Sequence, residues 1–247
     1  MDSIEMNRSF LKSCIGKIDM ISDREKGLPF PSLFKEKVSN NVVELAKDFK
    51  DIITMPNIQE CIENRISRRK FINEPVSLVE LSYLLWATQG LKKIISHNIG
   101  SYRNVPSGGG KHTFETYIYS FNVTSLENGL YHYLPCTHDI EYLKNDQKIA
   151  NKFNKATFEQ SFIINSAAVF IWSCIPYRSE WKYNLAAHKT ILLDAGHMCQ
   201  NLYLACESVG LGTCAIAAYN QDILDEIINV DGKNEFSIYL APVGRVK

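Results

Sequence analysis

What the 247-residue sequence lacks narrows its function before any motif is considered. It has no charge surplus: 27 Lys and Arg stand against 27 Asp and Glu. That argues against a nucleic-acid binder or an anionic-membrane binder, both of which carry a cationic excess. Any anion this chain holds is met by a few local cations. Its seven cysteines, at 14, 61, 136, 174, 199, 206 and 214, are odd in number and contain no C-x-x-C pair, the usage of a reducing compartment. Charges are scattered through the first 20 residues, with no apolar core of a signal peptide. The longest strongly apolar run, Ala167 to Trp172, is far short of the roughly 18 residues a membrane helix needs. The expectation is a cytoplasmic protein with neither nucleic acid nor membrane as partner. G-x-G-x-x-G, P-loop and H-E-x-x-H patterns are also missing, which leaves dinucleotide, triphosphate and zinc-protease chemistry by those motifs without support. A metal site is not expected. His188 and His197 are nine residues apart on one helix, on nearly opposite faces, and His197 reads as a packed core residue.

The length suits one domain with an extension. Residues 1–55 are weakly periodic and interrupted by Gly27, Pro29 and Pro31; they read as an extension wrapping a core formed by residues 56–247. Ser77-Leu78-Val79-Glu80 has the form of a capping box, and the apolar period that follows predicts a helix ending at Gly90. Phe114 to Phe121 alternates as a strand does, and Asn128-Gly129 signals a hairpin to Leu130–Leu134. A charged helix is expected over 144–159, then a buried strand over Ala167–Trp172. The longest helical pattern runs from about Asn184 to Val209, with Leu185, Leu192, Ala195, Cys199, Leu202, Cys206 and Val209 as its stripe and Leu193, Met198, Leu204 and Ala205 thickening it. A helix apolar on so many sides belongs in a large core or between subunits. Asn220 is placed to cap a last helix, and Phe236–Val243 reads as a closing strand. Without regular βαβ alternation, the fold class is α+β.

Three segments carry candidate chemistry. Arg65-Ile66-Ser67-Arg68-Arg69 crowds three guanidiniums and a hydroxyl together, as a phosphate monoester requires, or else forms a solvated basic turn. Pro106-Ser107-Gly108-Gly109-Gly110 allows the backbone to approach a flat ligand closely, or is a flexible surface turn. Gly210-Leu211-Gly212 through Ala215-Ile216-Ala217-Ala218-Tyr219 contains no acid or base, so any function rests on its backbone donors and acceptors.

From Asn57 onward the order and spacing of these segments resemble the FMN-dependent nitroreductase superfamily. The matching features are Arg65-x-Ser67-x-Arg69-x-Phe71, a helix ending in Gln89-Gly90, and Arg103-x-x-Pro106-Ser107-x-Gly109. They continue with Asp194-Ala195-Gly196-His197, Gly210-Leu211-Gly212 and Val243-Gly244. Tyr102-Arg103, Gly129-Leu130-Tyr131-His132-Tyr133 and Trp181-Lys182-Tyr183 are similar to the SagB-type branch, dehydrogenases that oxidise peptide thiazolines and oxazolines. The resemblance implies an antiparallel central sheet flanked by helices, an intertwined homodimer, and FMN between subunits. It assigns Arg65, Ser67 and Arg69 to the flavin phosphate and pyrimidine side. Pro106, Ser107 and Gly109 of the other subunit would line the ring, and Ile216, Ala217 and Ala218 would lie against it with a backbone N–H near flavin N5. Arg245 is a further phosphate candidate. Family members commonly keep an acid and Gly where this chain has Ala217 and Ala218, and many branch members keep an Arg-x-Tyr-Arg run where it has Ala186-Ala187-His188-Lys189. Lys182 and Tyr183 take the place of the pair that handles the proton in azoline dehydrogenation; their other reading is a snorkelling Lys and a packed Tyr. Three functions stay open on this basis: azoline oxidation with a cyclodehydratase partner, NAD(P)H-driven reduction of small nitro, quinone or enone compounds, and a catalytically retired flavin-binding subunit.

Overall fold

A computed structural model describes residues 3–95 and 99–247. The elements in chain order are α1 (Ser3–Phe10), β1 (Val42–Glu44), α2 (Ile58–Asn64), α3 (Leu78–Gln89), β2 (Leu91–Ile94), β3 (Ser101–Arg103), β4 (Phe114–Ser120), β5 (Gly129–Leu134) and β6 (Asp139–Lys144). They continue with α4 (Ile149–Ala156), β7 (Ala168–Cys174), α5 (Tyr177–Tyr183), α6 (Ala187–Ser208), β8 (Leu211–Thr213), α7 (Gln221–Ile228) and β9 (Phe236–Arg245). Seven strands form one antiparallel sheet in the order β1-β6-β5-β4-β7-β9-β8, and β2 and β3 pair separately. The expected α+β class with an antiparallel sheet between helices is what the chain adopts.

Strand alternation builds two cores. On one face Phe170, Trp172 and Ile118 pack with Leu81, Leu84 and Leu85 of α3 and Met198, Cys199 and Leu202 of α6. On the other, Val169, Ile171 and Leu240 meet Phe153 of α4 and Leu224, Ile227 and Ile228 of α7. Because β7 is buried on both faces, it reads as an unbroken apolar run instead of an alternation.

Local signals placed several elements. Ser77 Oγ accepts from the Glu80 amide at 3.2 Å while Glu80 Oε2 accepts from the Ser77 amide at 2.8 Å, closing the capping box. Asn220 Oδ1 accepts from Ile223 N at 3.1 Å at the start of α7. Other expectations are corrected. Gly129 opens β5 opposite Ser120, so residues 121–128 form the connection and Asn128-Gly129 is not a two-residue turn. The helix expected over 144–159 is confined to 149–156: Lys144 still belongs to β6, and Phe158 and Glu159 adopt left-handed φ of 52° and 63°. The long helix expected from about Asn184 to Val209 is α6, but it starts three residues later, because Asn184, at φ 50°, ends the separate helix α5. Nor is α6 buried all round in one chain. Leu185 just before it, and Leu192 and Leu193 within it, are 55%, 50% and 56% exposed.

The segment before α2 crosses the outside of the sheet. Trp181 Nε1 donates to Leu28 O at 3.0 Å, Arg178 Nε to Ser32 O at 2.9 Å, and the Val38 and Ser39 amides to Glu141 Oε2 at 2.8 and 2.6 Å. Beneath it lies a buried charge network. His132 contacts Glu115 at 3.0 Å and Glu141 at 2.9 Å, and Arg178 Nη2 contacts Glu115 at 2.5 Å. Lys35 reaches Glu235 at 2.6 Å. Three carboxylates, Glu115, Glu141 and Glu235, face His132, Arg178 and Lys35, with Arg103 also acting on Glu115; burial alone would lower the His132 pKa, but its two carboxylate neighbours outweigh that effect and raise it. Among the described residues no helix is long and apolar enough to cross a membrane.

Candidate active site

The first group of predicted residues gathers at the end of α2. Arg65 caps the helix and its guanidinium lies over the Tyr203 ring, 5.4 Å from the centroid. Ser67 Oγ is 3.0 Å from Tyr203 Oη, which also accepts from Ala215 N at 2.8 Å. The Arg68 amide donates to Thr213 O at 2.9 Å. Glycine is required where these segments meet: a Cβ on Gly212 would sit 2.7 Å from the Arg68 side chain, and one on Gly244 within 3.0 Å of the Phe71 ring. Residues 66–72 with Val246 and Lys247 border an open cleft of about 740 Å³, with Arg69 exposed in it. Arg68, the third guanidinium of the cluster, lies on the same cleft; its Nη2 is 3.6 Å from Glu207, and its Nε is buried without a hydrogen-bond partner among the described residues.

The predicted residues next to this group divide. Ile216 is buried, and both its N–H and its C=O bond Leu240, at 2.8 and 3.2 Å. Its amide is therefore spent on the sheet, and the exposed Ala217 and Ala218 are what the segment offers a ligand. Arg245 does not open onto the cleft: its guanidinium forks onto the Glu80 carboxylate at 2.9 and 3.0 Å. Glu80, the capping-box acid 165 residues away in sequence, thus neutralises it.

The second group gathers at the other end of α6. Asp194 accepts from the Gly108 amide at 3.0 and 3.2 Å. Burial raises the Asp194 carboxyl, opposed by hydrogen bonds from Ser107 and that amide. Gly108 rests on Thr190 and Gly109, at φ +64°, on the Tyr183 hydroxyl, each too closely to admit a Cβ. Pro106 is exposed at the loop's edge. Lys182 Nζ donates to Tyr183 Oη at 3.0 Å, so the Lys-Tyr pair and the glycine loop, distant in sequence, form one surface. Lys111, missed from sequence, is 4% exposed; its ammonium lies 4.2 Å from the Phe30 ring centroid and 5.1 Å from that of Trp181, and donates to Ile99 O at 2.8 Å. Burial, then the charges of Lys182 and Arg24, push its pKa down to about 8. Arg103 Nη1 donates to Gln89 Oε1 at 2.6 Å, joining two of the matched motifs inside the core. His197, expected to be packed, is 52% exposed, with Nδ1 4.0 Å from Asp194.

One chain does not bring the two groups together. Asp194 and Tyr203 are nine residues apart on α6, about two and a half turns, so they lie on opposite faces and about 13 Å apart along the axis. The face opposite Asp194 presents Leu192, Gly196 and Tyr203 at spacings of four and seven, with the exposed Leu185 just before the helix, and a Cβ on Gly196 would meet nothing within 4 Å.

The model of the nitroreductase family matches residues 62–245. The chain belongs to that family. A Methanocaldococcus jannaschii protein described as a nitroreductase is 29% identical over 198 residues, 78% of this chain and 96% of that protein. A solved structure described as a Ralstonia eutropha JMP134 nitroreductase is 25% identical with a TM-score of 0.68, covering 89% of this chain and 95% of that one. The microcin B17-processing protein McbC of Escherichia coli is 25% identical over 211 residues, 81% of this chain and 75% of that protein. Membership makes the chain an oxidoreductase by family, and members are typically FMN-dependent. The arrangement fits such a cofactor: a cleft bordered by Ser67, Arg68 and Arg69, an orphaned buried guanidinium nitrogen, and two glycines that let three segments close around it.

Proposed function

We propose that this nitroreductase-family chain is an FMN-dependent dehydrogenase that oxidises azolines in a peptide, working as a homodimer. The observation that carries the reading is the 3.0 Å contact between Lys182 and Tyr183 on the surface of Gly109, a proton-handling pair built against the loop assigned to the flavin ring. When bound, FMN supplies a hydride acceptor at N5. An azoline that becomes an azole must also lose a proton, and Tyr183 Oη in its phenolate form, accepting from Lys182, is the base this chain offers, becoming the phenol as it takes the proton. Arg65, Ser67 and Arg69, now joined by Arg68, would hold the phosphate and pyrimidine side; Pro106, Ser107 and Gly109 of the second copy would line the ring. The opposed placement of the two groups on α6 supports the dimer, and the exposed Leu185, Leu192 and Gly196 supply an apolar face for it. The azoline itself must come from a cyclodehydratase, the partner this reading requires. McbC, a relative named for processing microcin B17, supports the same branch.

The family also supports a second reading, NAD(P)H-driven reduction of small nitro or quinone compounds. The exposed Ala217-Ala218 supports a third, a flavin-binding subunit without turnover. Loading the purified protein with FMN and assaying both a thiazoline peptide and NADPH with a quinone separates them. Peptide oxidation lost in Lys182→Ala with FMN retained is expected. Quinone turnover without peptide oxidation selects the second reading, no turnover at all the third, and failure to take up FMN overturns all three.

A further inference from the structure

Tyr203 links the two segments that the flavin reading treats as separate, 65–69 and 214–218. Its oxygen is fixed by Ala215 N at 2.8 Å and lies 3.0 Å from Ser67 Oγ, while Arg65 covers its ring. An amide nitrogen can only donate, so the phenol oxygen accepts there. Accepting that bond strengthens the phenol's own O–H as a donor, and a cation over the ring face acts in the same direction. With the phenol proton directed at Ser67, the chain runs from Ala215 N–H to Tyr203 Oη and from Tyr203 O–H to Ser67 Oγ. Ser67 then has its own proton left over, and the acceptors of a flavin phosphate or pyrimidine edge are what such a proton serves.

We infer that Tyr203 is a positioning residue that holds Ser67 as a hydrogen-bond donor toward the cofactor and ties the backbone of the 214–218 segment to the same point. The inference rests on the FMN reading and adds a residue that lies outside the matched motifs, on the α6 face opposite Asp194.

The test is a double-mutant cycle in FMN affinity, read by quenching of flavin fluorescence on titration into apoprotein. Tyr203→Phe keeps the ring under Arg65 and removes only the hydroxyl. One or two lost hydrogen bonds predict FMN binding weakened about 3- to 30-fold. Ser67→Ala should weaken it comparably, and Tyr203→Phe in the Ser67→Ala background should change it less than threefold, because the relayed donor is already gone. Ser67→Thr, which keeps the hydroxyl, should bind within a few-fold of wild type. The urea midpoint of each apoprotein distinguishes relay from scaffold. An unchanged midpoint with coupled affinities supports the inference; fully additive affinities, or a Tyr203→Phe variant that binds like wild type, overturn it. Wild type that takes up no FMN overturns the flavin reading itself.

Discussion

Replacing Arg178 by Met probes the network that holds the extension over the sheet. Arg178 is 2% exposed, donates to Ser32 O at 2.9 Å, and pairs through Nη2 with Glu115, itself 3% exposed. Methionine fills much of the volume but leaves the Glu115 carboxylate with the Lys35 amide and His132 alone. Breaking a buried ion pair by removing one partner costs about 3–5 kcal/mol, a large share of the roughly 5–15 kcal/mol a domain has. Equilibrium urea unfolding at pH 7 should show that loss as a lower midpoint at unchanged slope. The Arg178→Met/Glu115→Gln double variant should recover at least ~1 kcal/mol, since it no longer leaves the Glu115 carboxylate buried without its guanidinium. The pH dependence has a definite sign. Burial would raise the Glu115 carboxyl, but Arg178 and His132 outweigh it and hold it well below the usual carboxylate range. That stability is present in full above pH about 4.5 and is lost as pH falls toward the depressed folded value, so the gap between wild type and Arg178→Met should shrink in acid. A loss below ~1 kcal/mol at pH 7, or a gap that widens in acid, would refute the reasoning.

Lys111, with its folded pKa lowered to about 8, is destabilising while charged, so wild-type stability should rise relative to Lys111→Met between pH 8 and 10.5; parallel denaturation curves across that window would contradict this. Gly109→Ala forces a left-handed alanine, costing about 1–2 kcal/mol, and drives Tyr183 off its place beside Lys182. Turnover should fall more than tenfold, whereas Gly108→Ala, which meets Thr190 instead, should spare the pair. Arg245→Met, in steady-state binding titrations, should leave FMN affinity within about twofold, because its guanidinium already answers Glu80.

What was legible in the sequence was local. The capping box at Ser77, the Asn220 cap and the apolar runs of β4, β7 and β9 each encode their structure within a few residues. The three-residue strands β1, β3 and β8 are too short to carry a period, and β6 was hidden because its charged end ran on into a charged stretch. The breadth of apolar residues on α6 was visible, but one chain leaves Leu185, Leu192 and Leu193 uncovered, so burial and subunit contact were indistinguishable from sequence. Motif spacing singled out both groups as candidates. It did not single out Tyr203 or Lys111, whose placement comes from contacts across the fold, and it could not show that the groups of Ile216 and Arg245 are committed to Leu240 and Glu80.

The central claim is that the cofactor site joins the Arg65–Arg69 side of one copy to the Pro106–Gly109 loop of another. Subunit complementation tests it most directly. One variant carries Arg65→Ala and Arg69→Ala, the other Ser107→Ala and Gly109→Ala, and each alone should bind FMN poorly. Unfolded together and refolded as a mixture, half the dimers are mixed, and each mixed dimer contains one site free of substitutions. The mixture should therefore recover about a quarter of wild-type FMN-binding sites. A mixture that binds no more FMN than the two variants kept apart would contradict a site shared between copies.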